Sequence, residues 1–223
     1  KNSVSTHSSF ITETQDLHKM YLERLQSGLQ QTVKMEPITG ILQTPTSTLS
    51  NSCNQISQNL SQIAEQCVKT AEQISTNVKE LNKDEKGAIY MYTGNSLYSS
   101  LNAALRDSDR KKSKKYFGYL HLFIKAHDKL PGKQSMTLYR GIGKDLTKEY
   151  QQGSTVTWWA VSSCTPKMSV AQAFGGGQSN GTLFHVKTTT AVPIMHLSAY
   201  KGEEEYILAP RTQLKVVSVK KTP

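Results

Sequence analysis

Apolar residues recur along the first third of the chain at helical intervals. Leu17, Tyr21, Leu25, Leu29 and Val33 form one stripe with a spacing of four. Leu49, Cys53, Ile56, Leu60, Ile63, Cys67, Ala71, Ile74, Val78 and Leu81 form a second, spaced mostly by alternating fours and threes. Such spacing keeps a narrow apolar seam on one long helix, and that seam needs a partner in this chain or in another. Between the stripes, residues 37–52 hold Pro37, Gly40, Pro45 and a Thr/Ser run, the composition of a linker. Residues 1–86 therefore read as a polar helical arm in which no side chain has evident chemistry.

The pattern changes after Lys86. Residues 96–106 and 114–129 carry helical stripes, the second stopped by Leu130-Pro131-Gly132. Short β-rich runs follow at 137–142, 155–164, 182–187, 191–197, 204–209 and 213–219. Short strands parted by turn residues after a helical block predict an α+β domain over 87–223, with antiparallel or mixed sheets.

Composition narrows the class. No apolar run approaches the ~20 residues that a bilayer span needs, so no membrane span is expected. No leader is recognisable, although a chain starting at Lys1 leaves a removed one open. Three cysteines, at 53, 67 and 164, exclude a disulfide scaffold. On a single helix Cys53 and Cys67 would stand about 21 Å apart, beyond the ~7 Å that a disulfide spans. The net charge is +10. Up to Lys86 there are eight basic and nine acidic residues, and beyond it nineteen and eight, so the whole excess lies in the second part. That balance favours an anionic partner. The run Arg110-Lys111-Lys112 with Lys114 and Lys115 is either a solvated helix end or a docking surface for an acidic protein. Without interleaved aromatics it does not favour nucleic acid.

Three features of the second part carry possible chemistry. Glu203-Glu204-Glu205 stands directly before the apolar run Tyr206-Ile207-Leu208. At a strand start, Glu203 and Glu205 would share a face, roughly 6–7 Å apart, with Glu204 opposite. Two carboxylates so placed suit an oxocarbenium-like sugar and its incoming nucleophile, though a solvated acidic strand start reads the same. Arg140, beside Gly141, can present a fork to a phosphate or make a surface ion pair. Ser162, Ser163, Cys164 and Thr165 end a strand-like run, followed by Phe174 and a glycine-rich loop at 175–181. The serines can orient a carboxylate. A thiol nucleophile at Cys164 has no suitably spaced histidine to support it.

In this order, Tyr139-Arg140-Gly141, Ser163-Cys164-Thr165 and Glu203-x-Glu205 followed by YILAP resemble the arginine-serine-glutamate class of mono-ADP-ribosyltransferases. Tyr200, five residues before Glu205, fits the same pattern. The resemblance covers about residues 87–220. It implies two packed β-sheets with helices at the side and NAD held in the cleft as co-substrate, with no metal. By resemblance, Glu205 holds the nicotinamide ribose and stabilises the oxocarbenium ion, while Glu203 positions and deprotonates the acceptor. Arg140 anchors the NAD phosphates, Gly141 contacts the nicotinamide amide and Ser163 orients Glu205. Phe174 covers the nicotinamide, and Tyr200 serves acceptor recognition. The serine motif departs from the usual Ser-Thr-Ser, and residues 166–181 lack an Arg for a second phosphate contact. The expected activity is ADP-ribose transfer to a protein side chain, arginine by default, with Thr, Ser, Asn or Cys as other acceptors. A secreted bacterial toxin or effector acting in a host cytoplasm is the expected setting. An NAD glycohydrolase and a non-catalytic basic binding module are the competing functions.

Overall fold

The computed structural model describes Arg24 and residues 35–74, 78, 80–176, 180–202 and 204–221. The stripe from Leu17 to Val33 lies outside the described residues.

The second stripe folds as two helices, α1 (Leu49–Asn54) and α2 (Gln58–Glu72), where one was expected. The break comes at Ser57, whose extended backbone restarts the helix and whose hydroxyl accepts from Leu60 N at 3.3 Å. A serine at an N-cap satisfies a backbone donor that a continuous helix would not leave open. Cys53 and Cys67 therefore sit on two packed helices, and the distance argument for one helix does not apply. Both are free and buried. Burial pushes the Cys53 thiol up to about 12, with Cys67 adding to the shift, and pushes Cys67 up to about 11.

Helix α3 (Lys83–Thr93) opens with a capping box between Asn82 and Glu85. Glu85 is buried and also takes Lys129 Nζ at 2.6 and 2.8 Å, tying the start of α3 to the end of α5. Gly87 allows α2 to approach closely, since a Cβ there would meet Val68 Cγ2 at 2.7 Å. Helix α4 (Tyr98–Arg106) follows, then a 3-10 turn (Arg110–Tyr116) leading into α5 (Phe117–Lys129). Arg110 is not a loose surface charge. It donates to the Glu36, Leu105 and Asp107 carbonyls and stacks 4.3 Å from the Trp159 ring centroid.

Seven short strands follow, and every pairing among the described residues is antiparallel. β1 (Met136–Ile142) pairs with β4 (Thr182–Thr188), and β2 (Thr155–Trp158) with β7 (Thr212–Lys215). β3 (Ser162–Cys164), β6 (Tyr206–Leu208) and β5 (Val192–Pro193) form a third sheet with β6 central. The run 155–164, expected as one strand, divides between two sheets. At the crossing, Val161 N is satisfied by the Asn102 side chain at 3.1 Å instead of a strand neighbour. The run 191–197 likewise shortens to β5 and a 3-10 turn at Met195–Leu197.

Two apolar clusters hold these elements. The larger joins Leu49, Cys53, Leu60 and Leu81 to Tyr92, Tyr119 and Phe123, and to Val161, Val192 and Ile207 of the third sheet. The seam on α1 and α2 thus finds its partner within the chain. The smaller cluster, around Leu138, Ile142, Trp158, Val186 and Leu208, fills the space between the other sheets. No helix among the described residues is long and apolar enough to cross a membrane.

His127, buried on α5, has its Nε2 3.4 Å from the Ile207 carbonyl of β6. Burial, then Lys133, lowers its pKa below the ordinary 6.5. A depressed imidazole pKa stabilises the fold fully above about pH 6.5, and this contribution is lost as pH falls toward the folded value. The melting temperature should therefore drop between pH 7 and pH 5, and His127→Gln should flatten that part of the profile.

Candidate active site

The three sequence features come together because backbone pairing joins them. Tyr139 N donates to Thr165 O at 2.7 Å and Thr165 N to Tyr139 O at 2.9 Å, which docks β1 against the end of β3. β3 then pairs with β6, Ser163 opposite Ile207. Arg140, Ser163 and Glu205 are all buried at this junction.

Arg140 lies opposite Phe184 on β1 and donates through Nη1 to Ser163 O at 2.5 Å. Its guanidinium carbon stands 6.0 Å from the Trp158 ring centroid. Burial lowers its pKa, and Cys164, Tyr92 and Glu205 work against that shift. Arginine keeps its charge under such perturbation. The adjacent Gly141 is opposite Leu183. The Ser163 hydroxyl is buried beside the Tyr92 phenol, whose pKa it pulls down against the effect of burial.

Glu205 ends the acidic triplet immediately before β6 and is 1% exposed, whereas Glu204 is exposed and 3.7 Å from Lys167 Nζ. Burial of one and exposure of its neighbour is the alternation expected of a strand start. Glu203 lies outside the described residues. Arg24 closes on Glu205 through Nε to Oε1 at 3.1 Å and Nη2 to Oε2 at 2.9 Å. Tyr92, from α3, is buried beside this pair. Burial raises its pKa and the Glu205 charge raises it further.

The turn before the acidic triplet is pinned to α3, with Ala199 N donating to Thr93 Oγ1 at 2.8 Å. Tyr200 N donates to Ser198 Oγ at 3.0 Å, and the Tyr200 ring lies so close over Gly202 that a Cβ there would meet its hydroxyl at 3.1 Å. On the other side, the π-helical turn Gln172–Gly176 packs on the end of β1. Gly175, with φ +119°, has its Cα against Gly143, where a Cβ would collide with the backbone. Only the backbone of Phe174 is described, within this turn, so its expected cover over nicotinamide lies outside what is described.

Two polar residues of the site had no motif to mark them. Asn102 donates to Tyr92 Oη at 3.3 Å and accepts from Val161 N. Arg106, one helical turn further along α4, has a buried Nη1 without a hydrogen-bond partner among the described residues. Burial lowers its pKa first, and the Arg140 charge second. A buried guanidinium donor without a partner among the described residues suits an anion with several oxygens. The i, i+4 spacing of Asn102 and Arg106 was visible, but nothing in it pointed to a site.

A family model described as NAD:arginine ADP-ribosyltransferase matches residues 30–223. The chain belongs to this family. The ADP-ribosyltransferase relatives matched by sequence include the GPI-linked NAD(P)(+)–arginine ADP-ribosyltransferase 1 of Oryctolagus cuniculus. It is 29% identical over 147 residues, covering 61% of this chain and 44% of the relative. The erythroblast NAD(P)(+)–arginine ADP-ribosyltransferase of Gallus gallus is 30% identical over 148 residues, covering 62% and 47%. The chain thus spans less than half the length of these relatives. Among solved structures, the eukaryotic mono-ADP-ribosyltransferase ART2.2 superposes with a TM-score of 0.66 at 20% identity, covering 90% of this chain and 88% of that one. Vis toxin from Vibrio splendidus gives 0.54 at 22%, covering 82% and 84%. The type III effector XopAI from Xanthomonas axonopodis pv. citri gives 0.60 at 16%, covering 96% and 92%. These likenesses establish the fold, and the expected α+β ADP-ribosyltransferase architecture is the one observed.

Cys164 sits between the site's serine and threonine, yet burial pushes its thiol up to about 12. A thiol in that state is not a nucleophile near neutral pH. Iodoacetamide at pH 8 should leave Cys164 unmodified in the native protein and label it after unfolding, as read by mass spectrometry of peptides.

Proposed function

We propose that the chain is a mono-ADP-ribosyltransferase that cleaves NAD and transfers ADP-ribose to a protein side chain, arginine by default. The observation that carries this reading is the convergence of Arg140, Ser163 and Glu205 in one buried junction, each from a separate motif. Membership of the NAD:arginine ADP-ribosyltransferase family over 30–223 supports it. Residues 87–223 supply these groups, with 1–86 as the arm before them.

In this reading the NAD diphosphate lies between Arg140 and Arg106, whose buried Nη1 is available to it. Arg106 stands in for the arginine that residues 166–181 lack. Gly141 contacts the nicotinamide amide through its backbone, and Phe174 covers the ring from the π-helical turn. The bond between nicotinamide and ribose C1′ breaks with its electron pair leaving on nicotinamide. The Glu205 carboxylate holds the ribose 2′-hydroxyl and faces the cation that develops at C1′. A fixed charge beside a charge that appears only in the transition state lowers the barrier rather than tightening ground-state binding. An acceptor guanidine nitrogen, guided by Tyr200, then bonds to C1′ and passes its proton to Glu203. In this reading the Ser163 hydroxyl, buried beside Tyr92, holds Glu205 once NAD is bound.

Lys111, Lys112 and Lys115 line a surface groove of about 550 Å³ together with Asp107, which pairs with Lys112 at 2.6 Å; the remaining lysine charge supports an acidic acceptor protein. We place the chain's action outside the producing cell. The GPI-linked and ecto-enzyme relatives support that setting. The narrower form of this reading is a secreted bacterial effector that modifies a host protein in its cytoplasm, and the Ser/Thr/Gln-rich arm supports it.

Incubation with labelled NAD and a eukaryotic lysate tests the reading. A discrete labelled protein band is expected, with arginine as the modified residue. Glu205→Gln should lower NAD cleavage by about 10²–10³-fold, the usual loss of one transition-state electrostatic contact. Glu203→Ala should abolish the band while free ADP-ribose is still released. Release of ADP-ribose by the unmutated chain without any band would instead make it a glycohydrolase.

A further inference from the structure

Arg24 engages the carboxylate on which the proposed chemistry depends. It is fully buried, 181 positions away from Glu205 in sequence, and holds both carboxylate oxygens in a fork. Its Nη1 donates to the carbonyl of Thr93, the last residue of α3. A helix C-terminus carries partial negative charge and favours a cation. The Tyr98 ring centroid lies 5.8 Å from the guanidinium carbon, within the range of a cation–π contact. Burial alone would lower the Arg24 pKa. The Glu205 charge and its hydrogen bonds outweigh that and hold it above the ordinary value. Two carboxylate oxygens, a helix-end carbonyl and an aromatic ring thus recognise the shape and charge of one planar cation.

We propose that Glu205, Thr93 and Tyr98 form a guanidinium-binding site that the chain fills with its own Arg24, and that this occupancy and NAD binding exclude each other. The exclusion rests on the assignment of Glu205 to the nicotinamide ribose. With Arg24 in place, the Glu205 charge is neutralised and a fixed cation stands where the oxocarbenium ion has to develop. Arg140 is drawn in as well, since its Nη1 also lies 3.5 Å from the Arg24 carbonyl. Arg24 therefore blocks the site by position and by charge. Removing it leaves a buried carboxylate without its cation, which is costly to the fold. A cationic ligand, or NAD cleaved toward its cationic state, relieves that cost.

The full chain, Arg24→Ala and Arg24→Lys are compared by calorimetric titration with NAD and by thermal melts with millimolar methylguanidinium chloride. Methylguanidinium should raise the melting temperature of Arg24→Ala, leave the parent unchanged, and lose its effect in Arg24→Ala/Glu205→Gln. The NAD Kd of Arg24→Ala should fall about tenfold or more, because apparent affinity scales with the fraction of molecules whose site is open. Arg24→Lys keeps the charge without the fork and should fall between. If methylguanidinium stabilises Arg24→Ala but NAD binds it no more tightly than the parent, the pair is a structural staple and the exclusion is overturned. If Arg24→Ala does not fold, tighter NAD binding by Arg24→Lys supports the exclusion, and equal or weaker binding overturns it. NAD binding to none of the three, with methylguanidinium still stabilising Arg24→Ala, would overturn the NAD reading and leave the guanidinium site standing.

Discussion

Two backbone hydrogen bonds between Tyr139 and Thr165 govern the arrangement of everything chemical in this molecule. They bring the strand that carries Arg140 onto the end of the strand that carries Ser163. The latter pairs in turn with β6, and so fixes the residue just before β6, Glu205. Three polar side chains, at positions 140, 163 and 205, are buried at this junction. Side chains placed by paired backbone are held more tightly than side chains placed by loops, which a site acting through electrostatics requires.

Helices supply the other wall. Tyr92 and Thr93 end α3, while Asn102 and Arg106 project from α4, and Asn102 bridges helix and sheet by bonding Tyr92 Oη and Val161 N. The aromatic and aliphatic packing of Leu49, Tyr119, Phe123 and Ile207 holds these helices against the third sheet. A change in α1 or α2 is therefore felt at the site through the core. The arm's apolar seam is part of the scaffold behind the candidate site.

Burial sets the electrostatic problem that this scaffold has to solve. Arg140, Glu205 and Arg24 are each about 1% exposed or less. An isolated charge at such depth is strongly disfavoured, so each needs an opposite charge or a set of dipoles. Glu205 and Arg24 answer one another, and Arg140 is answered by the Ser163 carbonyl and the Trp158 face. The same requirement makes the buried carboxylate a receptor for a cation, here the Arg24 guanidinium.

The elements with strong local signals were legible in the chain alone. Helices at 98–106 and 117–129 and strands at 136–142 and 182–188 fall where periodicity places them. The order of the Arg140, Ser163 and Glu205 motifs pointed to the family and the α+β fold before any contact was known. Where side-chain and backbone hydrogen bonds compete with periodicity, the sequence was silent. Ser57 caps a new helix inside an unbroken apolar seam, and Asn102 lets the run 155–164 cross between sheets. Arg24 and Arg106 lie furthest from legibility. A lone arginine looks solvated, and only the tertiary structure shows one closing on a carboxylate and the other with a buried Nη1. Motif order and periodicity are local and survive in one dimension. The pairing of buried charges across 181 residues is a property of where the folded chain excludes water.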